Sequence, residues 1–165
     1  MAITKVTGAL LGNYTGGSAD DTVVIGDGAG DAITTGTDNT FIGDNAGSAT
    51  TTASNNVAVG SSALLANTTG IENTAVGTDS LDSNTTGDYN TAVGGNALYA
   101  STTGDSSTGI GYNALAAQTT GQYNTAVGSA ALATATTADN NTAVGRNALL
   151  SNTTGTNNHA FGANA

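Results

Sequence analysis

The chain has 165 residues and carries twelve acidic side chains against two basic ones, Lys5 and Arg146, a formal net charge of −10 that repels phosphate backbones and makes nucleic acid an unexpected partner. No Cys and no Pro occur, which removes disulfides, thiolate catalysis and cysteine-ligated metal from consideration. With 38% hydrophobic but only 4% aromatic residues and no Trp, the apolar content is mostly Ala, Val and Leu, which suit a thin interior better than a globular one.

In chain order, residues 1–21 come first. In "ITKVT", Ile3, Lys5 and Thr7 alternate with Thr4 and Val6, a pattern that predicts an extended arm with Ile3, Lys5 and Val6 as candidate attachment residues. "GALLGNYTGGSADD" follows and matches a worn copy of the later repeats, which predicts a degenerate cap coil hiding one end of a stack. The opening has no apolar run of signal-peptide length and no stretch approaches a membrane span, so neither export by that route nor membrane insertion is expected.

From residue 22 a single distance governs the sequence. Gly26, Gly43, Gly60, Gly77, Gly94, Gly111, Gly128, Gly145 and Gly162 recur at a step of 17. Only an ordered array holds such a register, and a 17-residue unit cannot bury a core alone, so residues 22–165 form one stack. The expected class is all-β: a parallel β-solenoid of about nine coils.

The residue before each Gly is Ile25, Ile42, Val59, Val76, Val93, Ile110, Val127, Val144 or Phe161. This β-branched row predicts a strand and is expected to line the interior. Two residues before the Gly, Val24 and Phe41 give way to a row of Ala; strand side chains alternate, so this row faces the other way and would let a second chain approach closely. Val93→Asp is accordingly expected to harm the fold far more than Ser101→Asp. Past the Gly, Leu64, Leu81, Leu98, Leu115, Leu132 and Leu149 predict an interior ladder. Gly30 and Gly47 occupy that slot in the first units, where Phe41 is the expected filler.

Two consecutive Thr come next in every unit, from Thr34 and Thr35 to Thr153 and Thr154, with Gly after them in six of eight cases. One Thr of each pair is expected to face out, and the Gly suggests a corner with positive φ. Asn39, Asn56, Asn73, Asn90, Asn124, Asn141 and Asn158 share the last slot and predict hydrogen-bonded ladders up the stack.

Reactive groups are few. The sole His, His159, stands where most units have Thr, and no Ser-His-Asp or Cys-His set can be assembled around it, so no catalysis is expected. "GDGAGDAI" suggests a calcium turn, with Asp27, Asp31 and Asp44 as candidate ligands. Calcium takes roughly six to eight oxygens and the tandem calcium-binding nonapeptide is not matched, so a solvated acidic patch with no cofactor is the adopted reading. Adjacent Thr leave a single outward file where ice binding would want a paired Thr-x-Thr surface, which ranks that role last.

The unit "NTAVGxxALxxNTTGxx" resembles the head repeats of YadA-type trimeric autotransporter adhesins. It is more closely similar to repeat arrays of phage and cyanophage fibre-like proteins, over residues 22–165. That resemblance implies a left-handed β-roll, three copies around a threefold axis, and contacts near the Val/Ile and Ala rows. It further implies a structural, non-enzymatic virion protein, made in the host cytoplasm and placed on the virion surface. The expected form is a capsid decoration (cement) protein held by the major capsid protein. The alternative is a short tail fibre or spike held by tail proteins, or an adhesin-like attachment protein that meets a host-surface glycan.

Overall fold

The structure, a computed structural model, describes residues 22–165. Nine strands of three residues each, β1 (Val23–Ile25), β2 (Thr40–Ile42), β3 (Val57–Val59), β4 (Thr74–Val76), β5 (Thr91–Val93), β6 (Thr108–Ile110), β7 (Thr125–Val127), β8 (Thr142–Val144) and β9 (His159–Phe161), form one sheet in sequence order. Every neighbouring pair is parallel, and Thr74, Ala75 and Val76 lie opposite Thr91, Ala92 and Val93. The fold is the all-β parallel solenoid that the period predicts, and its nine strands bound eight closed coils. The arm residues Ile3, Lys5 and Val6 and the cap coil lie outside the described residues.

A coil of 17 residues with one short strand must turn sharply elsewhere. It does so through four residues of positive φ per coil: in one, Gly60 (136°), Ser62 (56°), Leu64 (53°) and Glu72 (56°); three coils later, Gly111 (130°), Asn113 (57°), Leu115 (55°) and Tyr123 (58°). The Gly at the strand end adopts a conformation closed to L side chains, and a β-carbon there would strike the carbonyl of the Gly in the next coil. Both facts explain why this slot never varies.

The Gly after the paired Thr has a different reason from the expected one. Gly70, Gly87, Gly104 and Gly121 are not among the residues of positive φ. A β-carbon on any of them would instead meet the carbonyl oxygen of the matching corner one layer on. Close approach of backbones, not turn chirality, selects Gly there.

The interior reverses the expected facing of the strand. Ala58, Ala75, Ala92, Ala126 and Ala143 are fully buried, whereas Val76 (37% exposed) and Ile110 (40%) look outward. The Val/Ile row is therefore not core in the single chain. β-Branching reports fit to a pleated strand, not burial, and the inner volume is already taken by the leucines. Even an Ala β-carbon placed at Gly109 would sit 3.1 Å from the Ala114 carbonyl oxygen and 3.4 Å from Leu98 Cγ, with little room to spare. Val in the inward row would overpack this thin space.

Leu64, Leu81, Leu98, Leu115 and Leu132 are fully buried as expected, yet all have φ near 50°. A left-handed residue costs about 1–2 kcal/mol, and burying a Leu returns about 1.5–3 kcal/mol. Burial wins, so Leu is retained in a slot that backbone preference alone would give to Gly or Asn. Where Gly30 and Gly47 do occupy it, Phe41 fills the vacated space, and a β-carbon on Gly47 would come 2.7 Å from its ring. The filler role expected for Phe41 holds.

Ser101 is fully buried and its hydroxyl has no partner among the described residues, while Val93 is half-exposed. The order of the two substitutions inverts accordingly. Ser101→Asp, which buries a charge, should lower the melting temperature by well over 10 °C, and Val93→Asp by only a few degrees in a dilute single chain; thermal unfolding followed by circular dichroism checks both.

Candidate interaction surface

The sheet presents a flat, regular face because a buried polar ladder fixes each strand over the last. Asn73 Oδ1 accepts the backbone N–H of Asn90 at 2.9 Å, and Asn73 Nδ2 donates to the Gly87 carbonyl at 2.8 Å. The same pair of bonds recurs from Asn39, Asn56, Asn90, Asn124 and Asn141. One layer has Ser107 instead, whose hydroxyl accepts from the Asn124 N–H at 3.3 Å. The expected Asn ladder is present, but its rungs are mainly side chain to backbone.

A second buried ladder runs through Asn67 and Asn84. Asn84 Nδ2 donates to Asn67 Oδ1 at 3.1 Å and to the Gly87 carbonyl at 3.0 Å. Sequence reading missed it because Thr50, Ser101 and Gln118 interrupt the slot. In those layers Thr50 Oγ1, Ser101 Oγ and Gln118 Nε2 lack partners among the described residues. The first Thr of each pair forms a third ladder: the hydroxyls of Thr68, Thr85 and Thr102 donate to the carbonyls of Thr85, Thr102 and Thr119 at 2.9, 3.0 and 3.2 Å. Its neighbours Thr69, Thr86 and Thr103 point into solvent, as one Thr of each pair was expected to.

With the interior closed, what remains for partners is the outer sheet face. It carries two parallel files. One runs through Thr74, Thr91, Thr108, Thr125 and Thr142; the other through Ile42, Val59, Val76, Val93, Ile110, Val127 and Val144. All are half-buried or exposed, their spacing along the stack is about 4.8 Å, and His159 is the only ionisable side chain on the nine strands. The face is uncharged, stiff and half-apolar. Chemically it can pack against another surface and offer hydroxyls.

The other candidates are scattered. Asp27, Asp31 and Asp44 are all exposed, and no three His, Cys, Asp or Glu among the described residues are placed to hold a metal ion. Asp27 and Asp44 share one slot in adjacent layers, but with Asp31 they do not make up such a set. No helix of the described residues is long and apolar enough to cross a membrane. His159 sits exposed at the start of β9, opposite Thr142. Comparison with protein-family models, with curated proteins and with solved structures returns no match.

Burial pushes the Asp82 carboxyl above its ordinary value and the neighbouring Asp79 pushes it further, while a hydrogen bond from Ser83 partly offsets both. A raised carboxyl pKa means that folding disfavours the charged form, so stability falls as pH rises from about 4 through the folded value. Asp82→Asn should raise the melting temperature slightly at pH 7 and give no gain at pH 3, where the acid is protonated in both states; paired thermal scans read the difference.

The ladder makes a sharper prediction. Asn73→Ala leaves the Asn90 N–H buried without a partner, at about 1–3 kcal/mol, and takes from the Gly87 carbonyl one of its two side-chain donors, that of Asn84 remaining. Asn73→Ser, mimicking Ser107, keeps an acceptor for the N–H and should cost roughly half as much. Denaturant unfolding of the two variants measures the contrast.

Proposed function

We propose that the chain is a non-enzymatic structural protein of a phage virion, assembled as a homotrimer through its outer sheet face and displayed on the particle as a capsid decoration protein. The observation that carries this reading is the uncharged double file of Thr and Val/Ile along the stack. An isolated rod gains nothing from Val76, Ile110 and their equivalents in water, whereas a second copy desolvates both files together. The repeats' resemblance to trimeric fibre heads supplies the threefold arrangement, the left hand of the coil and the virion setting. A rigid, acidic rod with a hydrogen-bonded interior also suits a part that must persist outside a cell. The major capsid protein is the partner in this reading; tail proteins replace it if the chain is a short tail fibre or spike.

The same face favours a second reading. The paired surface that adjacent Thr could not supply is present after all, as Thr and Val/Ile in alternate strand positions. A monomer that leaves this face open could order water and bind ice.

Mass under native conditions separates the two. A trimer that Val76→Asp plus Ile110→Asp reduces to folded monomers supports the assembly reading; a monomer that arrests ice growth overturns it. Quantitative mass spectrometry of purified particles tests the setting: hundreds of copies per particle mark decoration, a few dozen or fewer mark a tail appendage, and absence from particles rejects both.

A further inference from the structure

We propose that the corner preceding the strands in the middle of the stack is a binding site for a neutral oligosaccharide, with Tyr89 and Tyr123 as its platforms. This goes beyond the assembly reading, because the corner lies outside the two files of the sheet face.

The argument starts from backbone strain. The slot five residues before the strand-end Gly has positive φ in every described coil, and its occupants are Asp38, Asn55, Glu72, Tyr89, Ser106, Tyr123, Asn140 and Asn157. Asn and Asp take this conformation readily, whereas a bulky aromatic there is an outlier. The interior leucines offset the same strain by complete burial. Tyr89 (φ 61°) and Tyr123 (φ 58°) offset it less, being 53% and 57% exposed. Strain with so partial a return in packing marks a position held for something outside the fold.

The surroundings say what that something is. The two tyrosines stand two layers apart, roughly 10 Å, with the small, exposed Ser106 between them, a spacing about the length of a disaccharide. Beside this file run Asp88, Asp105, Gln122 and Asp139. Three of these carboxylates are fixed in place: Asp88 Oδ1 accepts the Ile71 N–H at 2.8 Å, Asp105 Oδ1 the Asp88 N–H at 2.8 Å, and Asp139 Oδ1 the Gln122 N–H at 2.7 Å. One oxygen of each carboxylate thereby holds the side chain rigid, and the outer lone pairs can accept hydroxyl protons. Aromatic faces for C–H surfaces beside rigid acceptors for hydroxyls suit a pyranose chain. The net charge of −10 turns away sialylated or sulfated sugars and leaves neutral ones.

The test uses the full chain against neutral glucan, mannan, galactan and N-acetylglucosamine oligomers, immobilised on an array and free in solution, with sialylated and sulfated oligomers beside them. Because the chain has no Trp and five Tyr, its intrinsic fluorescence comes from tyrosine, and the part of a ligand-induced change that is lost in the Tyr89 and Tyr123 variants reports on these rings. Saturable binding of at least one neutral oligomer is expected, in the array if the ligand is surface-borne and in solution if it is soluble. Tyr89→Asn and Tyr123→Asn should each weaken it at least about tenfold. Both should also leave the melting temperature equal or higher, since Asn relieves the strain; Tyr112→Ala, in another slot, should leave binding unchanged. No neutral binder, a preference for the anionic sugars, undiminished binding by the Asn variants, or a fall in their melting temperature would overturn the site. None of these outcomes bears on the mass that tests the trimer.

Discussion

The structure depends on one buried contact, the hydrogen bond that a backbone N–H donates to the Oδ1 of the Asn 17 residues earlier. It joins each layer to the next at the corner before the strand, away from water, where an unpaired N–H is costly. Because the donor is backbone, every residue type except Pro can supply it in the next layer. Because the acceptor is a side chain, the layer below must supply it at one fixed position. The 17-residue period follows from this asymmetry: the corner may vary in its exposed residues but not in its count.

The remaining features of the coil serve that register. Left-handed residues at four slots bring the chain round within 17 residues, and the strand-end Gly accepts a conformation that no side chain tolerates. The small inward Ala row leaves room for Leu, and Leu in turn offsets its own backbone strain by burial. What does not serve the register is confined to the outside. There the two files of the sheet and the tyrosine corner differ from a merely solvated surface, the first by its uncharged regularity, the second by strain at half-exposed aromatic side chains.

Most of the fold was legible because it is periodic. The recurrence from Gly26 to Gly162, the Leu row and the Asn row each predict their place in the coil, and Phe41 opposite Gly30 and Gly47 was readable as a compensating pair. What failed was the facing of the strand. Alternation says that Ala75 and Val76 point opposite ways but not which is inward, and hydrophobicity favours Val. Only the width of the interior, set by Leu on the far side, decides for Ala. The ladder through Asn67 and Asn84 was hidden by its interruptions at Ser101 and Gln118. The left-handed slots left a faint trace in the Asn and Asp that recur at them, from Asp38 to Asn157. The interaction surfaces were less legible, since the paired Thr drew attention away from Thr91 and Val93, which share a face only because the strand is real.

The central claim is that register, not composition, makes the fold, and deletion tests it most directly. Removing residues 76–92 rejoins Ala75 to Val93 and restores the strand, with every ladder intact and one layer fewer. Removing 76–91 joins Ala75 to Ala92 and puts one extra residue inside the strand, so Asn and Thr fall out of step with the layers above. Circular dichroism with thermal unfolding should show the first variant folded, cooperative and nearly as stable as the parent, because stacked repeats lose little from one missing unit. The second should unfold many degrees lower or in separate steps. Equal stability of the two deletions would contradict the account.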